Sequence, residues 1–154
     1  FCIGVGGSAA NSSHLVNDLR KLCKIESYSA TDNVSELSAR INDDGWNNSI
    51  RDWLEVSNLN NKDALFVLSV GGGNEKKNVS VNIVNAVKIG IKKKAKILGI
   101  IGKEDGYTAL KGDCIITVPI VDDKLITPMT ESFQALIWHS IVSNPLIQVN
   151  KTKW

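Results

Sequence analysis

The chain has 154 residues, 43% of them hydrophobic, with 18 lysines and arginines against 16 aspartates and glutamates and a formal net charge of +2. That is one domain (1–154) with room for a real core, and its composition excludes both a disordered chain and a strongly basic nucleic-acid binder. The three cysteines, Cys2, Cys23 and Cys114, have no CxxC spacing, so they read as small buried hydrophobes in a reducing cytosol rather than a disulfide framework or metal cluster. No signal peptide and no apolar run of membrane length is present. The sequence opens inside a strand without an initiator Met, and an N-terminal segment is expected to precede it.

In chain order, Cys2 to Val5 predicts a short buried strand, broken by Gly6, Gly7 and Ser8. A helix follows over Ala9 to Cys23, with Leu15, Leu19 and Leu22 on its apolar side. Strand, glycine turn and helix N-terminus together make an anion cradle, because the first helical amides point beyond the strand. His14 and Asp18 stand four residues apart on one face of that helix. An anion cradle with a His/carboxylate pair above it outlines a phosphosugar site.

Ser27 to Ala30 predicts a second strand. Helices are predicted over Val34 to Ile41 and Asn48 to Ser57, with Asn42-Asp43-Asp44-Gly45 as the turn between them. Ala64 to Leu68 is a continuous apolar strand ending in a second glycine loop, Ser69-Val70-Gly71-Gly72-Gly73-Asn74. A helix over Val79 to Lys92, a strand over Lys96 to Ile101, a last strand over Asp113 to Val118 and a last helix over Thr130 to Ser143 complete the chain. Apolar strands alternating with helices predict a parallel sheet covered on both faces, with right-handed crossovers. Ligands in such sheets bind at the carboxyl ends of the strands, where both glycine loops lie. The Lys92-Lys93-Lys94 run reads as a solvated helix end.

Six segments, in this order and spacing, carry a family resemblance: Gly6-Gly7-Ser8-Ala9, His14 with Asp18, Asn42-Asp43-Asp44-Gly45, the Ser69 loop, Gly102-Lys103-Glu104-Asp105-Gly106, and Glu131 to His139. Over nearly its whole length the chain resembles the sugar isomerase (SIS) domain family, and within it the phosphoheptose isomerase group. The resemblance implies a three-layer αβα sandwich with a five-stranded parallel sheet, a flavodoxin-like fold. It also implies an N-terminal helical segment, a cytoplasmic homotetramer with sites at subunit contacts, and no nucleic-acid or membrane partner. The implied reaction interconverts sedoheptulose 7-phosphate and a heptose 7-phosphate through an enediol.

In that group a Glu one turn after the helical His is the base and a late His the acid; some members hold zinc with these two, the helical His and a Gln. Carried over, the metal positions are His14, Asp18, Glu131 and His139, and the catalytic pair is Asp18 and His139. Asp18 is one methylene shorter than the family's Glu, and Glu131 replaces the Gln by an anion. Two imidazoles and two carboxylates suit zinc or another divalent transition metal. Glu131 and His139 lie roughly 12 Å apart along a straight helix, so one ion bridges them only if the helix start is irregular or a second subunit completes the site. Glu131 also reads as a helix N-terminal acid following the cap Thr130.

The phosphate loop departs most. The family's Ser-Thr-Ser-Gly-Asn-Ser becomes Ser69, Val70, Gly71, Gly72, Gly73 and Asn74, followed by Glu75-Lys76-Lys77 and reaching Ser80 only after an insertion. Glycine amides in a nest, Lys76 or Lys77, and the Ser80 hydroxyl can still hold a phosphate, and the loop's place at the strand's carboxyl end beside Ser8 favours that reading over a flexible turn with solvated lysines. Val5 stands where the family has Asn. Asp43 and Thr31-Asp32-Asn33 can meet sugar hydroxyls or serve as ordinary caps and turns. Gln134 binds substrate hydroxyls or sits on the polar face. Two other functions remain open: a non-catalytic phosphosugar sensor, and a nucleotide-binding flavodoxin-like domain.

Overall fold

The computed structural model describes residues 1–152. Its sheet is formed by β1 (Cys2–Ile3), β2 (Ala64–Ser69), β3 (Lys96–Ile101) and β4 (Cys114–Thr117). The strands are all parallel and lie in sequence order, with Phe66 beside Cys2, Leu98 beside Phe66 and Cys114 beside Leu98.

The predicted five strands are therefore corrected to four among the described residues. The segment Ser27 to Ala30 contributes a single parallel bridge, Ser29 to Cys2, and the Cys2 N–H donates to Tyr28 O at 2.8 Å. β1 is two residues long before the chain turns at Gly4, so its outer neighbour has almost no ladder to join. The order Ser29, β1, β2, β3, β4 keeps the doubly wound plan.

Strand alternation divides the core into two layers. Leu65, Val67 and Ile97 face one way and pack with Ile50 and Leu54 of α3 (Trp46–Val56) and Ile83 and Val87 of α4 (Val81–Lys92), all essentially buried. Leu68 and Ile100 face the other way, onto Leu15 of α1 (Gly7–Cys23) and Trp138 and Val142 of α6 (Ile126–Val142). The sheet is buried on both faces, as its apolar strands require.

Several boundaries move. α1 starts at Gly7 rather than Ala9, and α6 at Ile126 rather than Thr130, with Pro128 tolerated in its first turn. α2 (Val34–Asp44) absorbs Asn42, Asp43 and Asp44, so the predicted turn shrinks to Gly45, whose φ of 81° ends one helix and begins the next. Asn33 caps α2 by accepting from Ser35 N and Glu36 N. A short α5 (Tyr107–Lys111) was not predicted. α4 starts two residues late because Asn74 and Val79 exchange backbone hydrogen bonds of 2.8 and 2.9 Å and close the inserted residues into a hairpin.

Candidate functional site

α1 follows β1 and α6 follows β4, and the two helices pack against one another on the same face of the sheet. Their contact brings three of the predicted residues together. Asp18 Oδ2 lies 4.0 Å from His14 Nε2 and 3.9 Å from His139 Nε2. One donor atom from each residue falls within 4.8 Å of the other two. The Asp18 side chain is 13% exposed, whereas those of His14 and His139 are 56% and 49% exposed. The carboxylate is thus the inner floor of the group and the imidazoles are its open rim.

The orientation of His139 is fixed from behind. Its Nδ1 lies 2.7 Å from Ala135 O, one turn back on α6. A carbonyl only accepts, so Nδ1 carries a proton, and Nε2 is the ring nitrogen left facing Asp18. Both imidazoles rest on Trp138, which is fully buried: His14 meets it edge-on at 4.6 Å and His139 stacks on it at 3.6 Å between centroids.

Glu131 does not join this group. Its carboxylate accepts from Ser8 N at 3.1 Å and Ser8 Oγ at 3.4 Å, at the start of α1. A Cβ on Gly7 would meet the Glu131 carboxylate and displace it from this seat. The eight residues between Glu131 and His139 on a regular helix hold the two apart, as the rise per residue demands.

Gln134 is fully buried, its Oε1 accepting from Asn11 Nδ2 at 3.0 Å and its Nε2 donating to Ile100 O at 3.3 Å. Asn11 also donates to Glu131 O at 2.9 Å. These bonds lock α1, α6 and β3 in register. Asn11 and Trp138 were not singled out in the sequence; their one available signal is spacing, Asn11 standing three residues before His14 and Trp138 directly before His139.

The second glycine loop is held by its carbonyls. Gly72 O accepts from Thr108 N at 2.9 Å and Thr108 Oγ1 at 2.8 Å, and Gly73 O accepts from Tyr107 N at 2.7 Å. Gly72 and Gly73 reach this arrangement with φ of 66° and 79°. Ser69 Oγ accepts from Gly72 N at 3.0 Å. Among the described residues no partner engages the Gly71 and Gly73 N–H groups or the Ser80 hydroxyl. Ser80 itself takes the left-handed conformation, φ 48° and ψ 47°, directly before α4. Asn82, in the first turn of α4, is fully buried with both amide atoms unpartnered.

The remaining candidates lie outside these contacts. Lys76 and Lys77 are exposed on the hairpin, which is anchored by Glu75 to Lys88 at 2.7 Å, and Lys77 N donates to Asn74 Oδ1. Asp43 is exposed near the end of α2 and accepts from Asn42 Nδ2. Asp32 accepts from Ser13 Oγ.

Fold and glycine turns define a doubly wound α/β domain. Over 92% of its length the chain superposes on a phosphoheptose isomerase structure from Francisella tularensis, with a TM-score of 0.76, 21% identity and 72% of that chain covered. In sequence it is 29% identical over 148 residues to the lincomycin biosynthesis protein LmbN of Streptomyces lincolnensis, covering 90% of this chain and 52% of that protein. It is 30% identical over 120 residues to the phosphoheptose isomerase of Buchnera aphidicola subsp. Schizaphis graminum, covering 75% of this chain and 58% of that one. The chain thus spans little more than half the length of these relatives. No protein-family model matches it. In fold and in sequence the chain resembles the sugar isomerase domains, and among them the phosphoheptose isomerases. No helix among the described residues is long and apolar enough to cross a membrane.

Proposed function

We propose that the protein is a phosphosugar isomerase of the phosphoheptose type, interconverting sedoheptulose 7-phosphate and a heptose 7-phosphate. The observation that carries this reading is the meeting of His14, Asp18 and His139 where α1 packs on α6. An aldose–ketose isomerisation needs a base at carbon and an acid at oxygen, and this group supplies both kinds.

The substrate's phosphate takes the second loop, at the free amides of Gly71 and Gly73, the Ser69 and Ser80 hydroxyls and the start of α4. A helix N-terminus and a nest of glycine amides favour an anion there. Gly72 N is already spent on Ser69 Oγ. Lys77 adds charge from the hairpin.

The donor set fits a divalent metal: two imidazole nitrogens and a carboxylate with an open fourth position match a catalytic zinc site. The two separations from Asp18, 3.9 and 4.0 Å, and that between the imidazoles, within 4.8 Å, must close to reach the roughly 3.4 Å edge of a zinc tetrahedron. When bound, such an ion would polarise the sugar's carbonyl and adjacent hydroxyl. Asp18 takes the proton from the carbon next to the carbonyl and returns it to the neighbouring carbon. His139, when it carries a proton on Nε2, gives it to the carbonyl oxygen and takes one back from the neighbouring hydroxyl as the new carbonyl forms, while Ala135 O keeps hold of Nδ1–H. The same Nε2 cannot hold a metal and donate a proton at once, so the two uses of His139 are exclusive. Exposed Phe133 and Leu136 on α6 suit burial against further copies in a cytoplasmic homotetramer.

The test is turnover of sedoheptulose 7-phosphate with and without zinc, with solvent deuterium sought in the product. Isomerisation with deuterium uptake supports the reading. Tight binding of the sugar phosphate without turnover, with metal present, replaces it by a phosphosugar sensor.

A further inference from the structure

One carboxylate of the chain already sits where the sequence expects an anion from outside. Ser8 donates to Glu131 through both its N–H and its hydroxyl, and the space a Cβ at Gly7 would need is filled by the same carboxylate. Asn11 clamps the Glu131 backbone carbonyl at 2.9 Å, so the residue is held from two sides. Gly6, with φ 63°, turns the backbone into this position.

We propose that Glu131 is a specificity-determining residue: its carboxylate is an internal anion that closes the Gly6-Gly7-Ser8 turn and confines the substrate's phosphate to the turn between Ser69 and Ser80. The consequence for substrates rests on the sugar-phosphate reading above; the seat of Glu131 does not. A carboxylate and a phosphate compete for the same amides, and a second anion placed beside the first is repelled. A sugar hydroxyl, by contrast, donates to that carboxylate. The site therefore takes a molecule with one anionic end and one neutral, hydroxyl-bearing end. It refuses a bisphosphate, whose second phosphate would need the cradle Glu131 fills. On this reading Ser8 is engaged by the chain's own carboxylate, and Gly6 and Gly7 shape the turn around it.

The experiment titrates the full chain with inorganic phosphate, fructose 6-phosphate and fructose 1,6-bisphosphate by calorimetry, for wild type, Glu131→Ala and Glu131→Gln. Glu131→Ala empties the turn and is expected to bind one more inorganic phosphate per chain than wild type. It is expected to gain about tenfold or more for the bisphosphate relative to the monophosphate. Glu131→Gln still fills the turn but removes the charge, and is expected to show a smaller gain for the bisphosphate with no extra inorganic phosphate. Equal stoichiometry and an unchanged bisphosphate-to-monophosphate ratio in both variants overturn the proposal. So does a second phosphate bound by zinc-loaded wild type, because Glu131 would then have left the turn for the metal. If wild type binds no phosphate and Glu131→Ala binds one, the role of Glu131 stands and the sugar-phosphate reading falls.

Discussion

The Asn11 side chain donates to Gln134 Oε1 at 3.0 Å and thereby ties the helix that carries His14 and Asp18 to the helix that carries His139. Gln134 is anchored in turn to Ile100 O of the sheet. The three-residue group is thus held in place by a chain of amides, half-buried Asn11 and fully buried Gln134, that makes no hydrogen bond to its members. Removing Asn11 leaves a fully buried acceptor unpaired, which costs about 1–3 kcal/mol. Asn11→Ala is expected to weaken zinc binding roughly tenfold to a hundredfold, the scale of lost orienting contacts. Calorimetric zinc titration checks this, and unchanged zinc affinity would remove Asn11 from that role.

Protein purified without chelator should carry close to one divalent transition metal per chain, and His14→Ala should lose it. Elemental analysis decides. Metal-free protein with full isomerase activity would leave His139 as an acid and Asp18 as a base, with no ligand role.

Asp18→Asn should lower turnover roughly a hundredfold or more, the usual scale for losing an acid or base. Substrate affinity should change little, because the lost interaction belongs to the transition state. Steady-state kinetics separates the two. An Asp18→Asn variant with near-wild-type turnover would exclude this carboxylate as the base.

Gly73→Ala should damage phosphate binding through the backbone. With φ at 79°, any Cβ is strained, and it would stand 2.8 Å from Val84 Cγ2 and 3.1 Å from Ser80 O. The loop must move, and with it the free amides and Ser80. The expected result is a raised KM for the sugar phosphate with the His14/Asp18/His139 group intact, read as unchanged zinc stoichiometry.

Burial pushes the Cys2 thiol up from 9.0 to about 11. A raised folded-state value means that the folded chain holds the proton while the unfolded chain releases it. That stability is full below about pH 9 and is lost as the pH climbs towards about pH 11. Urea midpoints measured across this window should fall more steeply for wild type than for Cys2→Ala. Equal slopes would mean that the thiolate is solvated in the native state.

The strands β2 and β3 were legible from their apolar runs, Ala64 to Leu68 and Ile97 to Ile101, and the parallel sheet followed from their alternation with helices. Ser27 to Ala30 misled because its strand character depends on a neighbour, β1, that is only two residues long. Asn42-Asp43-Asp44 carries turn chemistry, yet Asn33 caps the helix and the Glu36–Arg40 pair supports it, and it runs on to Gly45. α5 is five residues long and held by Gly72 and Gly73, so no periodicity announces it. At the site, the pair His14 and Asp18 was visible from helical spacing, and His139 from the family resemblance. The seat of Glu131 on Ser8 was not visible, because it joins residues 123 apart in sequence.

His14 and Asp18 stand near one end of the chain and His139 near the other. Anything that closes on all three acts as a clip across a very long loop, and it exists only in the folded state. Such a ligand raises stability in proportion to the logarithm of its concentration over its dissociation constant. Melting temperature then becomes a gauge of occupancy, and a panel of metals and sugar phosphates can be ranked by heating alone, before any product is assayed.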